Sequence, residues 1–167
     1  RAVESDRAEM GLYIEVTTAP EKLLGLHVRV WGRCGESHFD VQQPLRFKAS
    51  TLFFEVPNPE LWWPAGYGEP ALYEATVQLL SDNAVIAEQA ATFGIRTVTL
   101  QRTGTTGQQN PGEFLFRVND VPILCKGTNW VPLDAFHSRD AQRLPNVLAM
   151  AVDLGCNMIR CWGGNVY

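Results

Sequence analysis

Six residues near the end of the chain have the types needed to hold a polyhydroxylated ligand: Asn129, Trp130, Asp134, Arg160, Trp162 and Asn165. Side-chain amides and a guanidinium fork hydrogen-bond hydroxyl groups, and an indole face covers the apolar C–H face of a sugar ring. Arg160 falls on the strand parity that would face inward. A buried guanidinium needs a carboxylate partner, because an unpaired buried charge is costly. Asp134 is the only acidic candidate close by, and it lies in a loop. Taken alone, these residues also fit a plainer account, in which Arg160 makes a structural ion pair and the tryptophans pack a core.

The elements that must position them form a β-α-β pattern. A run from Val121 ends in Gly127-Thr128-Asn129-Trp130, and a second run, Asn157 to Trp162, carries Met158, Arg160 and Trp162 on one face. Between them Leu144, Val147, Leu148, Ala151 and Leu154 recur at helical spacing. The helix is predicted to begin near Leu144-Pro145, with the proline in its first turn, and to end at Gly155. In parallel α/β units chemistry collects at the carboxyl ends of strands, which is where the six residues lie.

The chain before this unit reads differently. Gly11 to Val16, Leu24 to Val30, Leu45 to Val56, Tyr73 to Leu79, Ala84 to Phe93 and Ile95 to Leu100 alternate or extend with a period of two, and no helical pattern intervenes. About seven short strands in roughly 100 residues predict an immunoglobulin-like antiparallel β-sandwich. The fold class is therefore mainly β: a sandwich over residues 1–100, a Gly- and Thr-rich linker or loop over 101–112, and a hairpin with the first βαβ portion of an unfinished barrel over 113–167. Asn119-Asp120 is expected to make the two-residue turn of that hairpin, since both residues tolerate positive φ.

Pro57 to Pro70 breaks the strand pattern, yet holds Trp62, Trp63 and Tyr67. These aromatics close the sandwich end or dock on a neighbouring domain, or else they form a sugar-stacking platform. The packing account takes precedence, because aromatic loops bury surface more often than they bind ligands.

Of the 167 residues, 46% are hydrophobic and 19% charged, which is globular composition. Fourteen basic against 18 acidic residues, without a basic cluster, give no nucleic-acid footprint. No apolar run approaches a membrane span. The four cysteines, Cys34, Cys125, Cys156 and Cys161, form no C-x-x-C pair and have no histidine at ligand spacing, which disfavours a zinc site; Cys125, Cys156 and Cys161, in or beside predicted strands, are expected to be small buried thiols. No cofactor is implied, and the compartment is left open.

Three segments resemble glycoside hydrolase family 2, in its β-mannosidase and exo-β-glucosaminidase branch. K-G-T-N-W-V-P-L-D followed by N-M-I-R-C-W-G-G-N-V-Y is similar to the start of that family's TIM barrel; L-W-W-P-A-G-Y-G-E-P-A-L-Y resembles a sandwich segment, and F-G-I-R the exit from the sandwich. The resemblance implies an upstream jelly-roll domain, an immunoglobulin-like sandwich and a catalytic barrel. The parent would be a retaining, exo-acting hydrolase of terminal β-mannosides or β-glucosaminides, its ligand a carbohydrate. Such enzymes use two glutamates, one of them in an Asn-Glu pair. These 167 residues contain no Asn-Glu dipeptide and stop at the second barrel strand, so no catalytic residue is expected here and the segment alone is expected to be inactive. What carries over is support: Arg160 matches the arginine that keeps the nucleophile ionised, and Asn129, Trp130 and Trp162 match positions lining the terminal-sugar subsite. Asn165 stands where the branch has glycine, and Thr128 replaces alanine or serine. Residues 113–167, cut from the rest of a barrel, are expected to be poorly ordered, to dock on the sandwich or to self-associate.

Overall fold

The computed structural model describes residues 3–4, 6–109, 111–134, 137–161 and 163. Trp162 and Asn165 lie outside them. The chain divides into two compact units, Arg1–Trp62 with Pro70–Thr97, and Trp63–Glu69 with Val98–Tyr167.

The first unit is an antiparallel β-sandwich of six strands: β1 (Arg7–Glu15), β2 (Leu26–Cys34), β3 (Ser37–Pro44), β4 (Ala49–Pro57), β5 (Tyr73–Ser81) and β6 (Ala84–Phe93). β1 pairs with β4, and the other four form a sheet in the order β3-β2-β5-β6. Alternation decides which side is buried. Leu26, Val28 and Val30 of β2 face Leu52, Phe54 and Val56 of β4 in one core, joined by Ala8, Phe39, Tyr73, Ala75 and Ile95. Phe39 stacks on Phe54 at 5.0 Å and Tyr73 on Phe93 at 5.4 Å between ring centroids.

Tyr73 is fully buried, so its hydroxyl must be satisfied internally. It donates to Ser37 Oγ at 2.7 Å and accepts from the Glu60 amide at 2.8 Å, and Ser37 Oγ in turn donates to the Pro57 carbonyl at 2.9 Å.

Two sequence expectations change here. The strand expected from Leu24 starts at Leu26, because Pro20–Gly25 forms a 3₁₀ helix and Leu24 is exposed. β3 replaces the alternation expected around Leu45 and Phe47. It follows β2 through a turn in which Gly35 has φ +56°, and its buried positions include Ser37, which a hydrophobic pattern does not register.

The second unit starts with β7 (Val98–Arg102), β8 (Phe114–Val118) and β9 (Val121–Ile123), an antiparallel sheet in that order. The extended piece expected at Ile95–Leu100 is thus divided. Ile95 is buried with the sandwich and bridges Leu61, while β7 pairs with β8 and runs two residues into the expected linker. Asn119 and Asp120 have φ +49° and +63°, as the expected two-residue turn requires.

β10 (Gly127–Trp130), α1 (Asp140–Asp153) and β11 (Met158–Cys161) form a parallel β-α-β unit. α1 begins earlier than expected, at Asp140, leaving Pro145 inside the helix, where its missing N–H costs one backbone bond. Gly155, at φ +72°, ends it in a Schellman arrangement: the Gly155 amide bonds the Val152 carbonyl, and the Cys156 amide bonds that of Ala151 at 2.9 Å. α1 buries no side chain. No helix among the described residues is long and apolar enough to cross a membrane.

Candidate functional site

β10 and β11 lie in a register that pairs Gly127 with Met158, Thr128 with Ile159, Asn129 with Arg160, and Trp130 with Cys161. Paired residues share a face, and the face alternates along the strands. Asn129 and Arg160 therefore lie together, and Arg160 Nη1 donates to Asn129 Oδ1 at 3.1 Å. With Cys125, Gly127, Thr128 and Met158 they line a cavity of about 400 Å³. One guanidinium N–H of five is used by Asn129. The others, and the amide nitrogen of Asn129, are donors, so the cavity suits oxygen acceptors, whether carboxylate or hydroxyl.

The parallel pairing depends on Gly127. A Cβ there would lie 1.8 Å from the Met158 carbonyl oxygen, so only glycine permits this approach.

Residues 124–126, between β9 and β10, lie outside the ladders; the Lys126 carbonyl accepts from the Asn157 and Met158 amides at 2.8 and 3.2 Å, and side chains supply further bonds. Asn157 Oδ1 accepts from the Lys126 amide at 2.8 Å, and Asn157 Nδ2 donates to the Leu124 carbonyl at 3.0 Å. The Leu124 amide donates to the Tyr67 hydroxyl at 2.8 Å. The return strand expected to run unbroken from Val121 to Thr128 is instead two strands with this side-chain-held crossing between them.

The other expected site residues are placed differently. Trp130 lies with Cys161 on the face opposite Asn129 and Arg160. Asp134 pairs with Arg143 of α1 at 3.2 Å, and Arg143 also donates to the Leu133 carbonyl. Arg160 has no carboxylate partner among the described residues. Asn157 and Gly127 were not singled out from residue type, although both lie inside the quoted motifs; an asparagine bonding backbone leaves no periodic signal.

The aromatic loop is occupied within the protein. Trp62 packs on Gly94, where a Cβ would fall 2.9 Å from the tryptophan, and the Arg96 guanidinium lies 4.2 Å from the indole centroid. Trp63 packs on Gly68 in the same way. The F-G-I-R segment thereby has a physical content: Phe93 stacks on Tyr73, Gly94 admits Trp62, Ile95 is buried and Arg96 covers the indole.

The cysteines depart from expectation. Cys125 and Cys161 are exposed and Cys34 and Cys156 half-buried; all four are free thiols. Cys125 lies in the crossing between β9 and β10, and Cys161 ends β11. Among the described residues no group of His, Cys, Asp or Glu could hold a metal ion.

The model of Glycosyl hydrolases family 2 matches residues 4–96, and this chain belongs to that family. Beta-mannosidase B of Aspergillus oryzae is 38% identical over 125 residues, which are 74% of this chain and 14% of the relative. Beta-mannosidase of Rattus norvegicus is 39% identical over 110 residues, 65% of this chain and 12% of the relative. The crystal structure of Beta-D-Mannosidase from Dictyoglomus thermophilum matches with a TM-score of 0.79 at 27% identity, over 100% of this chain and 21% of that one. The chain thus spans 14% or less of the length of these two curated relatives.

Proposed function

We propose that this chain is the sandwich and the first barrel portion of a retaining, exo-acting glycoside hydrolase that releases terminal β-linked sugars, β-mannosides first. The observation that carries the reading is Arg160, a guanidinium on the cavity side of a parallel β-α-β unit, held by Asn129 and without a carboxylate partner among the described residues. A guanidinium placed there lowers the pKa of a carboxyl group brought beside it, which keeps a nucleophile ionised. Retaining glycosidases set two carboxyl groups about 5 Å apart, one the nucleophile and the other the acid/base. Without an Asn-Glu pair, these 167 residues supply the support and not the reacting groups. An upstream jelly-roll domain and the rest of a barrel belong to this proposal, with Trp130, Trp162 and Asn165 as further sugar contacts. Exposed apolar residues of α1, among them Met150 and Val152, are the surface that further chain, or a second copy, would cover.

The 167-residue chain is expected to show no turnover of an aryl β-mannoside. The same segment in a protein of the full length of its relatives is expected to turn it over, with Arg160→Ala lowering kcat/KM about a hundredfold or more. Activity in the isolated chain, or an Arg160→Ala enzyme of unchanged kcat/KM, overturns the reading. The alternative of a non-catalytic carbohydrate-binding or structural module resting on Trp62, Trp63 and Tyr67 is disfavoured by the internal partners of all three.

A further inference from the structure

The largest exposed aromatic group on the outer face of the four-stranded sheet is Trp31, on the inner strand β2 and 39% exposed. Across the strands its line continues through Thr76 and Ala90, both small. They leave a groove beside the indole of about 610 Å³, within the range of small-ligand sites. The next line across the sheet is Arg33, Glu74 and Thr92, which also line the groove.

The charged groups on the two sides of Trp31 behave differently. On one side Arg29 is bound to Asp40, with Nε to Oδ1 at 2.8 Å, and Gln78 donates to Glu88 at 2.7 Å. On the other side Arg33 and Glu74 stand directly opposite each other with opposite charge, yet neither has an ion-pair partner among the described residues. An indole face next to an uncommitted donor fork, a carboxylate and a hydroxyl is amphipathic in the way a pyranose ring is. The C–H face of the ring covers the indole while its hydroxyls meet Arg33, Glu74 and Thr92. One positive and one negative group balance, which suits a neutral polyhydroxylated ligand rather than an anion or a cation.

We infer that this face is a carbohydrate-binding groove, centred on Trp31, that takes a pyranose ring of a neutral glycan chain. It is lined by residues other than those around Asn129 and Arg160. The choice of glycan rests on the glycosidase reading, but the groove and its test use a separate set of residues.

The test is an NMR titration of the 167-residue chain with mannopentaose, following the tryptophan indole N–H signals. Saturable shifts of the Trp31 signal are expected. Trp31→Ala should weaken binding about tenfold or more, with Trp31→Tyr recovering part of the loss. Arg33→Ala combined with Glu74→Ala should weaken it while leaving the fold intact by circular dichroism, since both side chains are exposed. Binding at undiminished affinity in Trp31→Ala overturns the inference. So does binding whose shifts fall only around Asn129 and Arg160, an outcome that leaves the glycosidase reading standing. Absence of binding at concentrations on the order of 10 mM, or self-association that depends on Trp31 without sugar binding, also overturns it.

Discussion

Tyr73 and Asp40 show how differently two polar groups contribute to the same sandwich. Tyr73→Phe keeps the ring stacked on Phe93 but leaves the Glu60 amide without its acceptor in a part-buried place. An unsatisfied buried donor costs about 1–3 kcal/mol. Urea unfolding of Tyr73→Phe should show a loss of that size, and an unchanged midpoint would mean that water replaces the hydroxyl. Asp40 is exposed, and hydrogen bonding from Arg29 holds its carboxyl below the ordinary value. A lowered folded-state pKa gives stability that is present above the unfolded pKa and is lost as pH falls through the folded one. The thermal midpoint of the native chain should thus exceed that of Asp40→Asn at pH 7, narrowly and less so in high salt. The gap should close in acid; a gap that widens in acid contradicts the assignment. The Tyr73 ring falls in the alternation read from Tyr73 to Leu79, but its hydroxyl partner Ser37 and the Arg29–Asp40 pair were not legible in the sequence. Alternation identifies Val28 or Phe54, but a serine at a buried strand position looks like any surface serine.

At the level of elements, the β10–β11 pairing rests on two residues that carry no hydrophobic signal. Gly127→Ala would drive a methyl group into the Met158 carbonyl, so the parallel ladder must shift or separate. Hydrogen exchange should then lose protection at Thr128 to Trp130 and at Ile159 to Cys161, while β2 and β5 stay protected. Asn157→Ala removes both side-chain bonds to the 124–126 crossing while the backbone bonds to the Lys126 carbonyl remain, and the Lys126 amide should exchange faster. Asn157→Asp keeps an acceptor for that amide but loses the donor to Leu124, so it should fall between. Equal exchange in all three proteins would show that the crossing is held by something else. The elements themselves were largely legible: the βαβ order, the helical stripe, the Asn119-Asp120 turn and the Gly155 stop all follow from period and turn chemistry. The start of α1 was not, because a proline tolerated inside a helix looks the same in sequence as one that begins it. Nor could sequence tell that Asp134 would pair with Arg143 and leave Arg160 to Asn129, since that choice depends on where the loop brings the carboxylate.

Across the whole molecule the two units differ in what holds them. The sandwich buries Val28, Val30, Val56, Tyr73 and Ile95 almost completely, in one contiguous cluster. Among the described residues of the second unit the buried hydrophobic ones are Val118 and Ile123, each 7% exposed, while Phe114, Leu124, Met150, Val152 and Leu154 are more than half exposed. Apolar burial contributes roughly 25 cal/mol per Å², so the sandwich has a stabilising term that the β-α-β unit largely lacks. Local opening follows buried contact density. Amides of β2 and β5 should accordingly show the slowest exchange in the chain, those of α1 and β11 exchange orders of magnitude faster, and calorimetry should resolve more than one transition. A ligand or further chain that covers the open faces would raise protection in α1 and β11 without altering β2 and β5. A single cooperative transition, with α1 as protected as β2, would mean that the second unit draws its stability from the sandwich rather than from its own burial.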